Sequence, residues 1–87
     1  MRINDLIDEI KNYQKVSTHK AALDIYRLLD GNKMVFIQKM NTDDFNHLHS
    51  GFEKLSYANP KEYNTSSYER EYKTLYDLLL FYLDRIV

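Results

Sequence analysis

From Ser66 to Val87 the chain reads S-S-Y-E-R-E-Y-K-T-L-Y-D-L-L-L-F-Y-L-D-R-I-V. Large side chains return at Tyr68, Tyr72, Leu75, Tyr76, Leu79, Tyr82, Leu83 and Ile86, the one-face repeat of an α-helix. Ser66 stands three residues before Glu69, the spacing of a helix-starting capping box. Between Leu78 and Leu83 six apolar residues run without a break, so the stripe widens until most of the circumference is apolar. Such a helix has to be covered by partners, and the remaining residues supply them.

Working back from this helix, residues 2–15 form a first amphipathic helix. Ile3, Leu6, Ile7 and Ile10 share one face, and Tyr13 or Gln14 closes the stripe. Asp5, Asp8 and Glu9 precede Lys11 and Lys15, the order the helix dipole favours. A second helix spans 17–30, capped by Ser17 or Thr18, with Ala22, Ile25 and Leu29 on its apolar face. Gly31 then supplies a left-handed stop. The short break between these two helices predicts antiparallel neighbours. A third long helix covers 42–57, capped by Thr42, with Phe45, Leu48, Phe52 and Leu55 inward. Gly51 in its interior costs about 1 kcal/mol relative to alanine and marks a bend or a close helix crossing. Asn59-Pro60 ends the element.

Residues 33–40, K-M-V-F-I-Q-K-M, are the ambiguous stretch. Met-Val-Phe-Ile is β-prone, yet no second strand is visible to pair with it. An extended or short helical connector is favoured over a strand that pairs with a symmetry mate in a homodimer. The fold class is therefore all-α: one domain over 1–87, a small bundle of about four helices (2–15, 17–30, 42–57 and 66–86).

Composition narrows the function. The chain has 87 residues, no cysteine, 12 basic and 13 acidic residues, and net charge −1. Each sign is spread over both halves of the chain, which weighs against direct binding to nucleic acid. Absence of cysteine fits a reducing cytoplasm. The acidic start offers no secretory signal, and a run of six apolar residues is far short of the roughly 20 that span a membrane. A cytoplasmic protein with no membrane contact is expected.

Chemistry-bearing patterns are sparse. On a helix His47 and His49 point about 200° apart, so they do not share a metal, and a zinc site needs three or four convergent ligands. Asp43 and Asp44 reach towards His47, and Glu53 towards His49, at helical spacing. Ser17-Thr18-His19-Lys20 matches S-x-x-K without the partner motifs of the enzymes that use it. With two glycines there is no phosphate-binding loop. No enzyme activity, metal or cofactor is expected. A helix-turn-helix reading fails on the link between the first two helices, which lacks the usual glycine, and on a second helix bearing Lys20, Asp24 and Arg27.

Tyrosine is the unusual residue, at eight positions. Tyr68, Tyr72 and Tyr76, spaced by four, lie along one edge of the last helix. They are the candidate partner-binding residues, because tyrosine gives large rigid contact area at low entropy cost. The competing reading buries the rings and lets the hydroxyls find partners.

The first twelve residues, M-R-I-N-D-L-I-D-E-I-K-N, resemble the opening of a small type II-A anti-CRISPR family of Gram-positive prophages. Met1, Ile3, Asn4, Asp5, Leu6, Ile7, Glu9, Ile10, Lys11 and Asn12 carry the resemblance. The family inhibits the RNA-guided DNA nuclease; its members are strongly acidic, contain a small β-sheet and imitate DNA charge. This chain is near neutral and helical beyond residue 12, so the resemblance implies neither that mechanism nor any contact residue. It implies a phage or mobile-element inhibitor that disables a bacterial defence protein in the host cytoplasm, with the type II CRISPR nuclease as target. A helical immunity or adaptor protein binding a toxin or receptor, and a dimeric phage transcription regulator, are the alternatives.

Overall fold

The computed structural model describes residues 2–12 and 18–86. Five α-helices follow in order: α1 (Ile3–Asn12), α2 (Thr18–Gly31), α3 (Lys33–Ile37), α4 (Thr42–Ser56) and α5 (Ser66–Ile86). A 3₁₀ turn, Pro60–Glu62, precedes α5. The protein is all-α, as the periodicity requires, with no strand among the described residues. The expected first-helix end at 13–15 and the Ser17 cap lie outside those residues, as does the serine of the S-x-x-K match. Its Lys20 reaches Asp24 at 3.9 Å on the same helix.

Every α-helix contributes to one buried cluster. Leu6, Ile7 and Ile10 come from α1, Ala22, Ile25 and Leu29 from α2, and Phe36 from α3. From α4 come Phe45, Leu48, Phe52 and Leu55, and from α5 Tyr68, Tyr76, Leu79 and Leu83. Among the described residues α4, rather than α1, is the helix most closely paired with α2, and α4 also packs on α5. Expected from the sequence as antiparallel neighbours, α1 and α2 are thus not each other's main partners among the described residues. Gly51 takes the Leu75 side chain of α5 against its backbone: a Cβ there would lie 2.7 Å from both methyl carbons of Leu75. Its intrinsic helix cost of about 1 kcal/mol is offset by that approach.

Segment 33–40 resolves as the connector. Lys33–Ile37 is a short helix, and Phe36 drops fully into the core, stacked on Phe45 at 6.0 Å between ring centroids. Burying that ring holds the segment on its own core, so the intermolecular strand does not form.

Three end signals differ from the sequence reading. Gly31 stays inside α2, and neither glycine has positive φ. Asn32 donates its side-chain amide to the Leu28 carbonyl at 3.0 Å, satisfying the helix end without a left-handed residue. The α4 cap is Asn41, whose side chain accepts from the Asp43 amide at 2.8 Å; Thr42 is already helical. The α5 cap is Thr65, whose hydroxyl accepts from the Tyr68 amide at 3.2 Å and donates to the Glu62 carbonyl at 2.8 Å. The pairing of Ser66 with Glu69 is thus displaced by one residue, because Thr65 also locks the 3₁₀ turn.

Candidate interaction surface

The tyrosine edge of α5 faces inward. Tyr68 and Tyr76 are each only 4% exposed, and Tyr72 between them is half-buried. Tyr68 donates its hydroxyl to the Leu55 carbonyl in the last turn of α4 at 2.9 Å. Tyr76 donates to the Ile10 carbonyl in the last turn of α1 at 2.8 Å. The last four carbonyls of a helix lack intrahelical partners, so α5 uses two phenols, two turns apart, to hold two other helices by their C-terminal ends. Tyr72 stacks on Tyr76 at 5.6 Å and meets Phe52 edge-on at 6.3 Å. The edge proposed from the sequence as a binding ridge is a buried clamp, because the phenols of Tyr68 and Tyr76 each have an internal carbonyl acceptor.

Burial pushes the Tyr68 phenol up to about 12, with Tyr63 and then Glu62 adding to the rise. Tyr72 is raised further by burial, then by Tyr76 and Tyr68. Folding therefore favours the neutral phenols. The stability this represents is complete below the ordinary tyrosine value of 10.0 and is lost as pH climbs through about 12.

The Tyr72 hydroxyl is buried without a hydrogen-bond partner. An unsatisfied buried donor costs roughly 1–3 kcal/mol, whereas the ring contacts stabilise. Tyr72→Phe keeps the ring and removes the cost, so a rise in stability of about 1 kcal/mol is expected in denaturant titration. A fall of that size would mean that the hydroxyl is bonded.

A second aromatic cluster, which includes the exposed Tyr57, lies on α2 and α4. Tyr26 and Asp30 are one turn apart on α2; His49 and Glu53 are one turn apart on α4, followed by Tyr57 at its C-terminal cap. Packing of α2 on α4 brings the two ladders together. His49 Nε2 lies 3.1 Å from Asp30 Oδ1, and Nδ1 lies 3.8 Å from Glu53 Oε2. The imidazole rests on Phe45 at 5.6 Å and on Tyr26 at 5.2 Å. Tyr57 meets Tyr26 edge-on at 6.1 Å and is 74% exposed. Partial desolvation first, then the charges of Asp30 and Glu53, raise the Tyr26 phenol, and Tyr57 adds to this through its hydroxyl contact. Helical spacing reveals the His49–Glu53 pair in the sequence. Asp30 and Tyr26 escaped notice because they arrive from another helix.

Two other exposed features lie elsewhere on the surface. A solvent-open groove of about 360 Å³ runs between α4 and α5, with Gly51 and Leu75 in its wall and His47, Lys54 and Arg70 on its rim. Phe81, 51% exposed, carries the Arg85 guanidinium 4.5 Å above its ring. Among the described residues no three histidine or acidic side chains are arranged to hold a metal ion, and no helix is long and apolar enough to cross a membrane.

The N-terminal resemblance divides between inside and outside. Leu6, Ile7 and Ile10 belong to the core, so their agreement reports packing; Asn4, Asp5, Lys11 and Asn12 are exposed. No family model, no curated protein and no solved structure matches this chain.

Proposed function

We propose that this chain acts without catalysis, as a stoichiometric inhibitor that binds and disables a bacterial defence protein. The target implied by its first twelve residues is the RNA-guided nuclease of a type II CRISPR system. The observation that carries protein binding is the exposed Tyr57 beside Tyr26, supported from beneath by His49. Tyrosines on a rigid helical base are the residue type that anchors protein interfaces. The helical Lys33–Ile37 and the buried Phe36 weigh against the strand through which the dimeric-regulator alternative would pair.

Co-purification of the chain with a type II effector, with and without guide RNA, tests the reading, together with a DNA-cleavage assay. A one-to-one complex and loss of cleavage are expected. Guide loading, recognition of the short DNA motif next to the target, and nuclease-domain docking are the steps a bound inhibitor can block. Full cleavage at saturating inhibitor, with no complex in either guide state, would overturn the nuclease as target.

A further inference from the structure

We infer that Tyr26, Tyr57, Asp30 and Glu53 form a receptor for an arginine-bearing segment of the partner protein. This rests on the protein-binding reading above and names the chemistry of what is bound. The charged groups that bear on Tyr26 are the carboxylates of Asp30 and Glu53, 60% and 46% exposed. Tyr57, at the C-terminal cap of α4, is 74% exposed. Aromatic faces attract cations through the ring quadrupole, and an exposed carboxylate accepts a guanidinium through two parallel hydrogen bonds.

Arginine suits the face better than lysine, because its planar head stacks and pairs at once, whereas an ammonium is a compact, strongly hydrated point charge. The chain already makes the stacked half of that contact internally, with Arg85 over Phe81 at 4.5 Å. A nucleic-acid backbone is repelled by the same two carboxylates. The imidazole of His49 lies between them, 3.1 Å from Asp30 on α2 and 3.8 Å from Glu53 on its own helix.

Short oligoarginine, oligolysine and oligoglutamate peptides serve as probes, with binding followed by amide chemical shifts of the whole chain. Oligoarginine is expected to shift residues around Tyr26, Asp30, His49, Glu53 and Tyr57 and to bind several-fold more tightly than oligolysine. Tyr57→Ala is expected to weaken that binding about fivefold to tenfold, with the melting temperature kept because the ring is exposed. The pair Asp30→Asn with Glu53→Gln is expected to abolish it. Shifts spread evenly over Asp5, Asp77 and Asp84 as well, equal binding by Tyr57→Ala, or preference for oligoglutamate would each overturn the inference. If the effector binds wild type and Tyr57→Ala equally, the inference fails while the inhibitor reading stands. If the effector is ignored but oligoarginine docks on this face, the inference stands and the nuclease reading fails.

Discussion

Leu79→Ala is expected to lower the unfolding free energy by about 2–5 kcal/mol. Leu79 is fully buried on α5, in the one cluster to which every other α-helix contributes. Truncation removes the transfer free energy of the lost carbons and leaves a cavity that rigid neighbours fill only in part. A domain of this size holds a margin near the low end of roughly 5–15 kcal/mol, so the variant sits at the edge of unfolding at 37 °C. Each kcal/mol lost moves the melting temperature by about 4–8 °C, which thermal denaturation reads directly. Phe81→Ala is the matched control on the same helix. Its ring is 51% exposed, so a change within about 0.5 kcal/mol is expected. Comparable losses for the two variants would mean that α5 is oriented differently.

Tyr76→Phe is expected to cost about 1–3 kcal/mol, the opposite sign to Tyr72→Phe four residues earlier. The phenol of Tyr76 donates to the Ile10 carbonyl 66 positions away in sequence, and it ties α1 to the bundle. A further link, Lys11 to Asp84 at 3.8 Å, lies between exposed groups and contributes little. The loss should therefore appear first in α1. Hydrogen exchange of the Ile3–Asn12 amides is expected to accelerate more than that of α4, since loss of a tether opens first the element it holds. Uniform acceleration across the chain would show that α1 is held mainly by Leu6, Ile7 and Ile10.

The contrast between these tyrosines explains how much the amino-acid pattern can say. Helix positions were legible because apolar side chains repeat at 3.6 residues, a local signal. Caps were legible only to within one residue: Asn41 and Thr65 each took the role from the neighbouring Thr42 and Ser66 because all four side chains are able to cap. Gly31 reads as a stop until Asn32 supplies the same hydrogen bond from its side chain. The direction in which the tyrosine edge points was not legible at all. A tyrosine has an apolar body and a polar tip, so the same spacing suits a ridge or a clamp. The outcome depends on the carbonyls of Leu55 and Ile10, which no local window places nearby. The α2–α4 face was hidden for the same reason, since His49 meets Asp30 across 19 positions. Only its i,i+4 half, His49 with Glu53, could be read from one helix.

Exchanging a buried ridge for an exposed face changes which substitution should silence the protein. The direct measurement is retention of wild type, Tyr57→Ala and Phe81→Ala on an immobilised type II effector, alongside their melting curves. All three should melt together, because both replaced rings are exposed. Wild type and Phe81→Ala should be retained, and Tyr57→Ala should bind about tenfold more weakly or not at all, as loss of a central aromatic anchor does. Equal retention of all three proteins, or no retention of wild type, would contradict the assignment of this face to an inhibitor of that nuclease.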